Sequence, residues 1–439
     1  MPTEKFVESQ YQVEFVAGEV DTLGKFLNRI TILSNIANPW PIIYLSFVMD
    51  NQEIIEHNLY GQEEMTLTVF NTYQDGQRKN STEIKLIYMQ SNLSLPAKKQ
   101  MNTGEEYGDL QRQEVVLECI PKPSFDTWTT FVNAIWQEPA NITPYDAIIE
   151  VAEKNGFKLD NVYDVGKNED LINQFIVPPM SFKQMIEYMD EKLGIYNGPL
   201  FKYCDRGGNL IMRDNFEWFK TNKDLPVIHF HKLPSQFKSE TRFKELNDMV
   251  LEDNGIHYLG HEMVESVHHA NSNIVRNGGD VTIVTHPHED LYHLLKRDAA
   301  TAVSEGGIYN DAKELKALQD LTKRKVYYTD SVGFESEGYS GNVGDHIIKT
   351  RMAKMFGECF SVKFILNRNL NLTNCMKVGD VVQITPESDF EMTPGSDYSG
   401  SYLMSQSKVT IYKDGNGGQA SNFDAQAIIT ASRSVQNSK

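Results

Sequence analysis

The sequence predicts a β-rich protein of the α+β class, and three features predict it. In residues 1–122 apolar and polar positions alternate over short stretches, as in Ile43, Leu45, Phe47 and Met49 set between Tyr44, Ser46 and Val48; a period of two marks a half-buried strand. Residues 141–205 instead carry two helix starts, each with a capping residue and then an apolar stripe at helical spacing. Beyond residue 225 strand-like runs return between turns rich in Gly, Ser and Asp.

Tyr11–Ala17 alternates, and Gly24–Leu33 suits a short helix or an irregular crossing. Gly61 turns the chain into Glu64–Phe70, where Met65, Leu67 and Val69 share a face. Glu83–Met89 alternates again, residues 98–108 read as a polar loop, and Val115–Cys119 ends the set. Several such strands with turn signals predict a small antiparallel barrel or sandwich. Between two of them Asn38-Pro-Trp-Pro41 forms a stiff turn, and Trp40 serves either as a contact anchor or as a local core residue. Pro121-Lys-Pro123 marks a boundary.

Past that boundary Ser124–Gln137 reads as helical, with Phe125, Trp128, Val132 and Ile135 on one side. Thr143 can cap the next helix, Pro144 suits its first position and Asp146 its positive end. Ala147, Ile148, Val151 and Ala152 make its stripe, and Gly156 stands where a left-handed cap belongs. Pro178 and Pro179 force an extended approach to Ser181, the cap of another helix striped with Phe182, Met185, Ile186, Met189 and Leu193 and ended by Gly194. A Gly-Pro bend then leads to the short aromatic strand ending at Asp205.

Among later segments, Gly255–His261 and Val281–His286 read as strands, Asp290–Val303 and Asp311–Arg324 as helices. A helix is expected from His346 to Phe356, and strands over Ser361–Leu366, Val378–Thr385 (around the Gly379-Asp380 turn) and Ser401–Tyr412. The Gly-, Asn-, Ser- and Ala-rich residues after Lys413 read as a mobile tail, ordered only by a partner.

The segments "WPIIYLSFVMD", "NLYGQEEMTLTVF", "PPMSFKQMIEYMDEKLGIYNGPLFKYCD", "CMKVGDVVQI" and "SGSYLMSQSKVTIY", in this order, resemble the central baseplate hub proteins of contractile-tailed bacteriophages and related injection machines. The resemblance spans most of the chain and implies architecture and partners, not a reaction. It implies two tail-tube-like antiparallel β-barrel domains, at 1–122 and 229–345, a mixed α/β docking region at 123–228 continued by 346–430, and a mobile tail at 431–439. It implies a homotrimer whose six tube-like domains match a six-fold tail tube to a three-fold spike around a DNA channel. The partners implied are the spike, a tube or tube-initiator protein, the tape measure protein and the baseplate wedge. The place implied is the virion baseplate, assembled in the host cytoplasm.

The composition is compatible with such a part. A formal net charge of −18 argues against tight binding of nucleic acid, which needs clustered Lys and Arg; acidic walls instead let DNA slide past. Cys119, Cys204, Cys359 and Cys375 show no C-x-x-C spacing, so neither a disulfide frame nor a zinc knuckle is expected. The start lacks an apolar signal core and no apolar run reaches about 18 residues, so membrane insertion is not expected.

One stretch raises chemistry. Nine of the eleven histidines lie between His229 and His293. His286-Pro-His288-Glu-Asp290 resembles the dinuclear metal motif of metallo-β-lactamase-like hydrolases, in which such ligands hold zinc or iron and activate water. Leu291 stands where that motif needs another histidine, so a polar loop is the plainer reading. His261-Glu262 begins like His-Glu-x-x-His, but the next histidine, His268, is seven residues from His261 and misses the helical spacing. No catalytic residue, cofactor or metal is therefore expected, and the alternative is a metal-dependent hydrolase using His286, His288 and Asp290.

Overall fold

The computed structural model of the 439-residue chain describes residues 10–18, 22–36, 38–49, 64–72, 78–92, 113–138, 140–172, 174–197, 200–214, 230–232, 256–262, 280–285, 293–298, 325–330, 358–364, 378–379, 381–384, 400–413 and 423–433. They form a β-rich α+β protein. The expected loop at 98–108 and the helices expected at 311–324 and 346–356 lie outside the described residues.

The first part is β1 (Gln10–Ala17), β2 (Leu27–Asn35), β3 (Ile42–Met49), β4 (Met65–Thr72), β5 (Arg78–Asn92) and β6 (Gln113–Pro121). A 3-10 turn at Thr22–Phe26 precedes β2, so the uncertain Gly24–Leu33 stretch is mostly strand. Alternation holds as expected: Phe15, Ile30, Ile43, Leu45, Leu67, Ile84 and Leu117 are all buried, and the Phe15 and Phe47 rings lie 5.4 Å apart. Ser46 is also buried and donates its hydroxyl hydrogen bond to Glu114 Oε1, which also accepts from Arg29.

The middle part contains α1 (Lys122–Thr129), β7 (Phe131–Trp136), α2 (Pro144–Lys154), β8 (Asn161–Val162), β9 (Phe175–Ser181), α3 (Phe182–Lys192), β10 (Leu200–Cys204) and β11 (Leu210–Asp214). Both caps form as the sequence predicts. The Thr143 hydroxyl accepts from the Asp146 amide at 3.1 Å, and Ser181 with Gln184 makes a reciprocal capping box. Gly156 and Gly194 have φ of 71° and 76°. All five residues of the α3 stripe are fully buried. They share a core with the α2 stripe, Trp128 and Trp136.

The predicted helix over 124–137 is corrected: α1 stops at Thr129 and a strand follows. The Thr129 and Thr130 hydroxyls fold back onto the carbonyls of Phe125 and Asp126, which competes with helix propagation. The run 131–136 then gains a ladder to β9, pairing Ile135 with Ile176 and Trp136 with Phe175. Ile135, expected on the buried side, is consequently 64% exposed.

The last part holds β12 (Phe230–Lys232), β13 (Ile256–Glu262), β14 (Asp280–Thr285), β15 (His293–Asp298), β16 (Lys325–Asp330), β17 (Glu358–Phe364), β18 (Val381–Ile384), β19 (Gly400–Lys413) and β20 (Phe423–Arg433). The helix expected over 290–303 is corrected over His293–Asp298. Leu294 and Leu295 fit either period, and pairing with Val284 and Ile283 of β14 decides for strand. β12–β13 and β14–β16 pair in parallel, so pairing in 229–345 is mixed where an antiparallel set was expected.

Phe423–Arg433 is likewise corrected from mobile tail to strand, including Ala431–Arg433 at its end. Ala427–Arg433 pairs with β17 on one side, and Phe423–Ser432 with β19 on the other. β19 in turn pairs with β2, and Phe423 faces Tyr11 of β1. The pairings thus run β1-β4-β5-β6-β3-β2-β19-β20, a curled antiparallel sheet of eight strands.

Candidate functional site

His286, His288 and Asp290 lie outside the described residues. β14 ends at Thr285 and β15 begins at His293, and these two residues pair. His257 and His261 fall on β13, which pairs with β17. His268 and His269 are outside the described residues. Among the described residues, no group of three His, Cys, Asp or Glu side chains could hold a metal ion.

What the described residues do bring together is a joint. The stiff turn Asn38–Pro41 leaves the curled sheet between β2 and β3 and meets the middle part. The Pro39 carbonyl accepts two hydrogen bonds, from Trp128 Nε1 at 2.5 Å and from the Cys204 amide at 2.8 Å. Trp40 stacks at a tilt on Phe125, ring centroids 6.0 Å apart, and packs against the core that holds α2 and α3. Trp40 is half-buried and does pack locally. Proline on both sides explains the geometry: fixed φ angles hold the carbonyl and the indole outward at little entropic cost.

A third segment enters the same joint. Val378 is buried against Tyr203 and Ile211. Tyr203 Oη donates to the Val378 carbonyl at 2.5 Å, and Arg213 Nη2 donates to the Gly379 carbonyl. The Gly379 amide donates to the Met404 carbonyl at 2.7 Å, tying the turn to β19. Gly379 has φ of 91° and a Cβ there would overlap Tyr203 Oη, so only glycine suits this position. Nearby, Ser124 Oγ donates to the Asp205 carbonyl, while the Asp205 carboxylate accepts from the amides of Gly207 and Asn209 and fixes the β10–β11 turn.

A cleft of about 230 Å³ opens beside the joint, lined among others by Asn38, Trp40, Glu83, Asp205, Arg206 and Val378. Burial pushes the Cys204 thiol well above its ordinary value, with the Asp205 charge adding to the effect, so it stays protonated and unreactive. Burial likewise raises Tyr145, up to about 12, ahead of the Asp164 and Asp146 charges. These are the marks of packed structure, where carbonyl acceptors and a buried guanidinium lock segments together. Sequence reading missed Tyr203, Arg213 and the Val378–Gly379 contact, because their partners lie more than 160 residues away.

The second feature is a face. The inner sides of β7 and β9 carry buried Val132, Trp136, Phe175 and Val177, but the outer side presents Phe131 at 77% exposure, Ile135 at 64% and Ile176 at 54%. These large apolar residues are grouped into one open patch. The signal was available in the sequence: residues 129–137 and 171–182 contain no Asp, Glu, Lys or Arg, in a chain that is 23% charged.

No protein-family model matches the sequence, and neither does any curated protein. Structural neighbours are phage tail proteins and VgrG-type injection-system complexes. The tail protein from Neisseria meningitidis MC58 aligns at 11% identity and a TM-score of 0.49, over 97% of this chain and 99% of its own. The 43 kDa tail protein of prophage MuSo2 from Shewanella oneidensis aligns at 12% identity and a TM-score of 0.49, over 96% and 98%. The half-lidded PdpA–VgrG complex of Francisella aligns at 11% identity and 0.44, over 98% of this chain and 58% of that one.

Proposed function

We propose that the chain is the hub subunit of a contractile-tail baseplate. It acts as a homotrimer that adapts a six-fold tail tube to a three-fold central spike and surrounds the channel for DNA. The observation that carries this reading is convergence: four of the five segments that resemble hub proteins meet at the joint. Trp40 comes from "WPIIYLSFVMD", Tyr203 and Cys204 from "LFKYCD", Val378 and Gly379 from "CMKVGDVVQI", and Met404 from "SGSYLMSQSKVTIY". A part that transmits force needs stiff connections between its domains, and the joint supplies one.

In this reading one tube-like domain is built on 1–122 and completed by β19 and β20. The second lies in 229–345, and 123–228 with the turn at 378–379 makes the docking region. In this reading the channel runs between subunits. Spike, tube or tube initiator, tape measure and wedge are the partners proposed. The role is mechanical, with no reaction assigned.

Light scattering of the full chain, with negative-stain microscopy, tests this. Rings near three times 50.1 kDa are expected, alone or once the spike is added. A monomer under both conditions overturns the hub. Stoichiometric zinc or iron that is lost in His288→Ala would favour the hydrolase instead.

A further inference from the structure

We propose that the outer face of the β7–β9 ribbon is a contact surface between copies of this chain, which deepens the trimer reading and rests on it. Three observations converge. Phe131, Ile135 and Ile176 are large, apolar and more than half exposed, and Ile135 faces Ile176 directly across the ladder. Asn133, Pro178 and Pro179 share that exposure and add no charge. The whole of 129–137 and 171–182 is uncharged, whereas the molecule carries a net −18.

The charge pattern chooses the occupant. Two copies of a strongly acidic chain repel wherever their carboxylates approach, and burying a carboxylate without a partner is costly. Copies of such a chain meet at least electrostatic cost on a surface free of acidic groups, and the ribbon face is such a surface. A basic partner would be recognised by carboxylates instead, and the ribbon has none. The contact is accordingly apolar, opposed at long range by charge, and ionic strength should strengthen it by screening that repulsion. Binding to a basic partner would show the reverse dependence.

The experiment is sedimentation velocity on the full chain across concentration, for wild type and for Phe131→Asp/Ile135→Asp. Both side chains point into solvent, so the melting curve should match wild type. The association constant should fall on the order of 100-fold or more, since two anchors of an apolar contact are replaced by charges. Wild-type association should rise with added salt.

A second variant guards against misfolding: Asn133→Cys, labelled with an environment-sensitive dye, should shift to the blue as the wild-type-like chain associates. Equal association of wild type and double variant, or a dye that reports no change, overturns the ribbon assignment while leaving the trimer standing. Association that weakens with salt overturns it too and points to a basic partner. Wild type that stays monomeric to its solubility limit also overturns it, and the hub reading is then decided by the spike titration alone.

Discussion

The joint at Pro39–Trp40 and the outer face of the β7–β9 ribbon are built from the same kinds of residue, yet they do opposite things. In the joint Trp128 is 1% exposed and its indole N–H has found a carbonyl. On the ribbon Phe131, three residues further along, is 77% exposed. Apolar area holds a protein together only when something opposes it within the chain; left open, the same area is available to another molecule. The difference therefore teaches which substitutions should cost stability and which should cost association.

The contrast should be broken most strongly by Trp128→Ala. It empties a core site and leaves the Pro39 carbonyl without its indole donor, so a loss of about 3–5 kcal/mol is expected in urea denaturation. A loss below about 1 kcal/mol would show that the joint is not held by this residue. Gly379→Ala should follow at about 2–4 kcal/mol, from a left-handed φ and overlap with Tyr203. Fluorescence-monitored melting would read it, and a neutral result would mean the 378–379 turn does not seat on β10.

Alkali should act on the joint and the sheet together. Burial holds the Cys119 thiol up to about 12 against an ordinary value of 9.0, and raises Cys204 as well. The unfolded chain loses these protons first, so stability is full below pH 9.0 and falls as pH rises from there towards about 12. Urea midpoints that stay constant across that window would contradict it. In native protein both thiols should resist an alkylating reagent, and react on unfolding.

Smaller effects sharpen the comparison. Ser181→Ala removes one half of the capping box and should cost about 1 kcal/mol. Ile135→Ser, on the open face, should change stability by less than about 0.5 kcal/mol while lowering association measured by light scattering. If Ile135→Ser costs as much as the cap, the face is covered and the comparison fails.

Much of this was legible in the sequence, where the controlling physics is local. Thr143, Pro144 and Asp146, then Ser181 and Gln184, fix two helix starts because a cap needs only neighbours within three residues. The spacing of Phe182, Met185, Ile186, Met189 and Leu193 names the buried face of α3, and the alternation around Leu45 that of β3. The stripe and the caps agree with each other, which is why those elements were readable.

Tertiary structure alone decided the rest. Residues 131–136 and 293–298 are short segments whose apolar residues satisfy either period, and only a partner strand, β9 for one and β14 for the other, makes them strands. Phe423–Arg433 looked too small and polar to order itself, yet it has a ladder on each side, because backbone hydrogen bonds do not depend on side-chain size. That Trp40 would be half-buried and Ile135 exposed also lay beyond the sequence. Both are apolar residues beside turns; chain from more than eighty residues away, at Phe125, packs on Trp40, while Ile135 stays 64% exposed.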